Sequence, residues 1–224
     1  MTDAHYHRDG YATFLSLGDR EFRFYGFHPW QAIDLGESAL LPLSFGEAAL
    51  LPLREKLSAD PHAGVGEIGL DRLKEKTISP AQRGVFAAQL DVAAEFKRPV
   101  VLHGAKCWGE VVAACRPYAG RIPAFLFHGF SRSGGLLPDI AALNGFVGVG
   151  AALLNDHAVN YRELVREVPI ERVLVETDAD YGRAAARPSP EEILRKLAEL
   201  RGMEPDALEA ALDANAARFV EALA

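Results

Sequence analysis

The chain has 224 residues, 49% of them hydrophobic, which suffices for one large buried core or two small ones. A net charge of −7 argues against a protein that grips nucleic acid over a broad basic surface, so any phosphate contact has to be local. No apolar run nears the roughly 20 residues of a membrane span. The two cysteines, Cys107 and Cys115, are too few for a disulfide framework, and neither a linker nor a secretory leader is evident, so one domain over 1–224 in a reducing cytoplasm is expected.

Asp3-Ala4-His5-Tyr6-His7 stands first. In an extended segment alternate side chains share a face, so His5 and His7 point the same way, with Asp3 one pleat behind. Two such imidazoles can hold one metal ion, and Asp3 is placed to bind the outer nitrogen of a ligand histidine. A surface strand with two solvated histidines has the same pattern, and H-x-H alone does not separate the two.

Tyr11 to Leu17 is a short apolar stretch, and Glu21 to Gly26 alternates as a strand ending at Gly26-Phe27-His28-Pro29-Trp30. Ser44-Phe45-Gly46-Glu47 has capping-box spacing and predicts a helix to about Leu57. Ala63 to Gly69 reads as a buried strand whose glycines permit close backbone approach, followed by a charged loop from Asp71 to Lys76. Ser79-Pro80-Ala81-Gln82 is a second capping box with proline at the first helical position, leading into a helix with Val85, Phe86, Leu90, Ala93 and Phe96 on one face. Pro99 to His103 is an apolar strand; Trp108, Val111, Val112 and Cys115 then space out a helix. Strands follow at Ala124–His128, Gly145–Gly150 and Arg172–Glu176. Between the last two, Asn155 or Asp156 is expected to cap a helix to Val168. Ser189-Pro190-Glu191-Glu192 starts another helix, and two further helical segments, about Asp206–Leu212 and Asp213–Leu223, finish the chain.

Apolar strands alternating with helices imply a parallel sheet covered on both faces. Seven clear strands, with an eighth at Tyr11–Leu17, point to a TIM-type (β/α) barrel abbreviated near the N-terminus, where no full helix fits between His7 and Gly26. A doubly wound open sheet is the alternative, but no glycine-rich nucleotide loop follows any strand.

The strands end in His5 and His7, Glu67, His103, His128 and Glu176-Thr177-Asp178. A parallel barrel opens all its strand C-termini onto one face, the place of the active site. Singly, each residue has an ordinary explanation: a buried histidine bonded to a carbonyl, a glutamate paired with an arginine, an aspartate capping a turn. Four histidines and two acids on the strand ends of one barrel are a different matter. Imidazole and carboxylate without thiolate suit Zn²⁺, Mn²⁺, Mg²⁺ or a related divalent ion. Six ligands are too many for one open tetrahedral site but suit two ions sharing an acid, about 3.5–4 Å apart, which clamp the oxygens of a displacement and make hydroxide near neutral pH.

DAHYH, GFHPW, GVGEIGLD, PVVLH, FLFHGFS, VLVETD and the terminal Asn215-Ala-Ala-Arg-Phe219 together resemble the TatD family of metal-dependent deoxyribonucleases, in family order over nearly the whole chain. The resemblance implies an amidohydrolase-type barrel that hydrolyses phosphodiesters, with DNA ends among the expected substrates; the sequence itself leads to the expectation of no membrane and no obligate protein partner. It implies that His5, His7 and Asp178 hold one metal, that His103 and His128 hold the other, that Glu67 bridges them, and that Asp178 orients the attacking water. Where the family pattern is H-x-R, this chain reads His103-Gly104-Ala105; H-C-F-S reads His128-Gly129-Phe130-Ser131; and the proline two residues after the ETD aspartate is Asp180. The metal site is therefore expected to be kept and the substrate cleft altered.

Substrate contacts are expected from His28, which could equally be a turn histidine, and from Arg72, Lys106, Ser131 and Arg183, with Arg132 and Ser133 as further candidates; each has a solvated or capping alternative. Cys107, beside Lys106 near a helix start, sits where a thiol pKa falls, but no base is evident and an inert thiol is expected; Cys115 reads as core. His62 and His157 carry no assigned function. Two other functions fit the fold: a two-metal hydrolase of C–N or C–O bonds in small molecules, and a non-catalytic metal-binding or partner-binding relative.

Overall fold

A computed structural model describes residues 1–8, 12–35, 49–131, 134–180 and 188–223. The Ser44–Glu47 capping box, Tyr11, Arg132, Ser133 and Arg183 lie outside the described residues.

The chain opens with β1 (Thr2–His7), β2 (Thr13–Leu17) and β3 (Arg20–Tyr25), paired antiparallel in succession. This departs from an all-parallel sheet, for a simple reason. A parallel crossover needs a dozen or more residues, and only five (residues 8–12) separate β1 from β2 and two (residues 18–19) separate β2 from β3. Gly18, at φ +57°, makes the second turn. From β3 onward the pairing is parallel, through β4 (Gly64–Asp71), β5 (Val100–Ala105), β6 (Phe125–Phe127), β7 (Gly145–Val149) and β8 (Val173–Val175). A two-residue β9, Ala179–Asp180, pairs parallel with β1, setting Tyr6 opposite Ala179 and His7 opposite Asp180. Because β9 follows β8 after three residues, the two ends of the nine-stranded sheet meet and the sheet curls into a barrel. The expected eighth strand is present as β2.

Helices cover the parallel strands: α1 (Pro29–Leu35), α2 (Leu51–Ala59), α3 (Pro80–Phe96), α4 (Trp108–Cys115), α5 (Leu137–Ala142), α6 (Val159–Glu167), α7 (Pro190–Arg201) and α8 (Pro205–Phe219). Ser189 and Glu192 form both halves of a capping box on α7. At α3 only half forms. Ser79 accepts from the Gln82 N–H, but the Gln82 side chain instead grips both backbone groups of Asp71 at the end of β4. α6 starts later than expected and has no side-chain cap, since Asn155 accepts from the His157 N–H in a local turn. The two expected terminal segments are one continuous α8 followed by a short 3₁₀ turn.

Most core side chains lie between sheet and helices; Trp108, Val111, Val112 and Cys115 of α4 are all buried there. A second layer fills the floor of the barrel: Ala4, Phe24, Val101, Leu126, Phe146 and Leu174, plugged by Phe219 of α8. Side chains two apart on a strand share a face, so this floor dictates what stands above it: His103 over Val101, His128 over Leu126, Glu176 over Leu174. Among the described residues no helix is long and apolar enough to cross a membrane.

Candidate metal centre

Glu67 is at the middle of the cluster. It is buried in β4, and its two oxygens face different partners. Oε2 lies 3.6 Å from His5 Nε2 and 3.8 Å from His7 Nε2. Oε1 lies 2.6 Å from His103 Nδ1, 3.8 Å from His128 Nε2 and 3.8 Å from His28 Nε2. Asp178 Oδ1 closes the other side, 3.5 Å from His7, 3.7 Å from His5 and 3.9 Å from His128. Both β1 and β4 carry a register irregularity, between Asp3 and Tyr6 and between Val65 and Ile68. Such bulges re-aim side chains beside active sites.

All six residues expected at the strand ends therefore converge. Asp178 reaches the cluster from a left-handed backbone (φ +50°), a conformation Asp tolerates better than most residues, while its N–H donates to the His5 carbonyl at 2.9 Å. By distance, three donor triplets among the described residues could each hold an ion: His5, His7 and Glu67; His5, His128 and Asp178; His28, Glu67 and His103. This grouping places His128 with His5 and Asp178, and His28 with His103, where the family resemblance pairs His103 with His128.

Two outer carboxylates set the rings. Glu176 Oε1 accepts from His128 Nδ1 at 3.0 Å and from the Gly129 N–H at 2.7 Å, which turns His128 Nε2 toward the cluster. Asp71, fully buried, takes the opposite nitrogen of His103, Nε2, at 2.9 Å, so that His103 presents Nδ1. Asp71 also accepts from the Trp30 indole N–H at 2.7 Å and from the backbone N–H groups of Leu73 and Lys74. Neither role is evident from sequence, where Asp71 opens a charged loop and Glu176 is only a strand end. Their signal was spacing, since Glu176 is two residues before Asp178 and Asp71 four after Glu67.

Asp3 departs from expectation. Its carboxylate accepts the Thr177 N–H at 2.9 Å and the Thr177 hydroxyl at 2.6 Å, tying β1 to the end of β8 instead of binding a histidine ring. Burial raises its pKa to about 6 against those bonds.

Burial opposes every charge in the cluster, and neighbouring charges overcome it in most cases. His103 is raised to about 9 by Glu67 and Asp71, and His128 to about 10 by Glu176, Glu67 and Asp178. Burial would raise Glu67 and Asp178, yet the histidines hold Glu67 well below the usual carboxylate range and Asp178 at about 2. For His5 burial prevails, aided by His128, and its pKa is lowered. Both ring nitrogens of His5, and Oε2 of Glu176, are buried without a hydrogen-bond partner. Such orphaned atoms call for an explanation. A divalent cation would account for His5 Nε2, which faces Glu67 and Asp178, so the residues present fit a metal.

The expected substrate contacts are mixed. His28 is buried at the cluster, its Nε2 3.3 Å from His103 Nδ1 and its Nδ1 accepting the Trp30 N–H at 3.2 Å. Ser131 is exposed and lines a cleft of about 340 Å³ with His128, Tyr161, Glu176, Thr177 and Asp178. Arg72 is held by Glu110 of α4. Lys106 is exposed, on a left-handed backbone (φ +58°) just past β5. Cys107 is buried with its thiol donating to the Leu70 carbonyl, and burial pushes its pKa up to about 12, against the lowering that Lys106 and the helix start imply.

A curled barrel with imidazoles and carboxylates gathered at the carboxyl ends of its strands defines a β/α-barrel protein with a candidate metal centre. A family model described as TatD related DNase matches residues 3–221, and the chain belongs to that family. The 3′-5′ ssDNA/RNA exonuclease TatD of Klebsiella pneumoniae (strain 342) is 33% identical over 172 residues, covering 71% of this chain and 65% of that protein. The uncharacterized metal-dependent hydrolase YabD of Bacillus subtilis (strain 168) is 26% identical over 156 residues, covering 70% and 57%. The matched stretches thus span less than two thirds of these relatives' length, 65% for the Klebsiella protein. Among solved structures, YJJV, a TatD homologue from Escherichia coli K12, superposes with a TM-score of 0.69 at 24% identity, covering 88% of this chain and 75% of that one. A TatD family hydrolase from Entamoeba histolytica gives 0.68 at 16% identity, covering 88% and 73%. Both share the fold.

Proposed function

We propose that this chain is a two-metal hydrolase of phosphodiester bonds, one domain over 1–224, acting on short or terminal nucleic-acid phosphodiesters in the cytoplasm. The observation that carries this reading is Glu67, with one oxygen toward His5 and His7 and the other toward His103 and His128, as a carboxylate shared by two ions requires. His5, His7 and Asp178 would hold one ion and His103 and His128 the other. Divalent ions there supply Lewis-acid polarisation of a phosphoryl oxygen and a nucleophile at neutral pH. Asp178, the most exposed acid of the cluster, orients the attacking water and takes its proton. The curated relatives named as exonuclease and metal-dependent hydrolase support the reaction class.

Restriction to short or terminal substrates follows from the cations. Among the described residues Arg72 is paired with Glu110, and Ala105 stands where the family pattern has arginine, which with a net charge of −7 leaves little positive charge to track a long backbone. The test is metal analysis after saturation with Mn²⁺ or Zn²⁺, followed by assay on a dinucleotide, a chromogenic diester, long single-stranded DNA and an amide panel. Two ions per chain with diester cleavage supports the proposal. Fewer than one ion, or amide hydrolysis alone, overturns it.

A further inference from the structure

Trp30 is placed as few tryptophans are. It is the second residue of α1, two after His28, and 43% of it faces solvent, whereas the other tryptophan, Trp108, is 3% exposed. Its indole N–H is anchored to Asp71 Oδ2 at 2.7 Å, the same oxygen that holds His103 Nε2. The His28 ring stands edge-on to it, centroids 4.9 Å apart and planes 82° apart, and His28 in turn lies against His103. The exposed ring is thus one hydrogen bond from the candidate metal centre and fixed on two sides. The Lys74 ammonium lies 5.9 Å from the ring centroid, paired with the exposed Asp34 carboxylate.

An indole with no structural need for exposure ought to be buried, because it is among the costliest surfaces to leave in water. Trp30 already has its hydrogen bond and ring contact, so packing does not account for the face left open. A rigid π-surface beside a phosphodiester-cleaving centre matches the stacking platforms that single-stranded nucleic-acid proteins use for unpaired bases, which tolerate any base because every base has a π-face. Lys74 adds a positive charge at the ring. Among the described residues its ammonium meets the Trp30 ring and a surface ion pair with Asp34, and such a pair is worth little and can be displaced by a phosphate.

We propose that Trp30 is a nucleobase-binding subsite, stacking the unpaired base of the nucleotide next to the scissile phosphate, with Lys74 meeting that nucleotide's phosphate. The assignment rests on the proposed phosphodiesterase function for its kinetic arm but not for its binding arm.

In the binding arm, tryptophan emission of the Zn²⁺-loaded full chain is titrated with adenosine 5′-monophosphate and, separately, with ribose 5-phosphate. Saturable quenching by the nucleotide alone is expected, and its absence in Trp30→Phe, where only buried Trp108 emits. In the kinetic arm, kcat/KM is compared for a dinucleotide and for its analogue lacking one base. The ratio cancels any loss common to both substrates through Asp71. Trp30→Ala should lower that ratio roughly 10- to 100-fold, the scale of one stacked base, while Trp30→Phe, which keeps a ring but not the N–H, should retain most of it. Quenching by ribose 5-phosphate equal to that by the nucleotide overturns the proposal, as does an unchanged ratio in Trp30→Ala. If no diester is cleaved with any metal, the phosphodiesterase reading fails and the quenching alone decides the base subsite.

Discussion

Glu176 holds His128 by its Nδ1 at 3.0 Å, and so decides that Nε2 of the same ring faces Glu67 and Asp178. The Glu176 carboxylate is itself wedged against the backbone of β7: a Cβ added at Gly148 would meet Glu176 Oε2 at 2.1 Å. Outer carboxylates of this kind are typically worth 10- to 100-fold in metal affinity. Glu176→Gln should therefore weaken binding of the ion nearest His128 by about 10-fold or more, and Gly148→Ala should do likewise by displacing the carboxylate. Competition with a chromogenic chelator measures both. Unchanged affinity in the two variants would remove Glu176 from any role in orienting the ring.

Asp178→Asn and Glu67→Gln each keep side-chain shape while removing a charge that the surrounding histidines stabilise. Turnover should fall by more than the roughly 10²–10⁴-fold usual for a general acid–base group, because an ion is lost as well. Circular dichroism should remain that of the parent. An active Asp178→Asn protein would contradict the role assigned to that carboxylate.

Metal binding should expel protons. Burial works against charge on His103 and His128, but the flanking carboxylates raise them to about 9 and 10, so both are protonated near pH 7.5 in the metal-free protein. Ligation needs neutral imidazole, so affinity should climb with pH until those values are passed. The linkage to folding has the opposite sense. Stability contributed by these raised pKa values is fully present below the unfolded value, near 6.5, and is lost as pH rises through 9 and 10. Calorimetry in two buffers of different ionisation heat measures the proton release. Net release of zero at pH 7.5 would show that the rings are already neutral.

Neither cysteine should be reactive in the folded chain. Burial raises Cys107 to about 12 and raises Cys115 as well, so the thiolate is scarce at pH 8 and the sulfurs are out of reach. A disulfide reagent should titrate no thiol in native protein and two after denaturation. Rapid native modification of Cys107 would mean that the end of β5 opens readily.

Substrate size can be tested at one position. Ala105 is half-buried at the end of β5, where the family pattern has arginine, and Ala105→Arg should raise kcat/KM on long single-stranded DNA more than on a small chromogenic diester at one ionic strength. The companion change Asp180→Pro is less suitable. Asp180 stands opposite His7 in the β9–β1 ladder, and proline brings no N–H. Equal gains on both substrates would mean the arginine acts on the reacting phosphate itself.

Local sequence determined the repeating units and the residues at their ends. Strand alternation and helix spacing set which side chains share a face, so the placement of His103 and His128 toward strand C-termini follows from periodicity and barrel topology, whereas Glu67 lies mid-strand because β4 runs on to Asp71. Ser189, Pro190 and Glu192 likewise specified the start of α7, since a cap is satisfied within four residues. Tertiary structure decided what depends on distant partners. Asp3 binds Thr177, 174 residues away, rather than a histidine close in sequence. Gln82 leaves its capping box for Asp71 because that buried strand end needs its backbone groups satisfied. Arg72 and Trp30 acquire their partners, Glu110 and Asp71, only when helices pack against the sheet. Periodicity reports the face on which a side chain stands, whereas its bonding partner is set by whichever polar group the fold buries beside it.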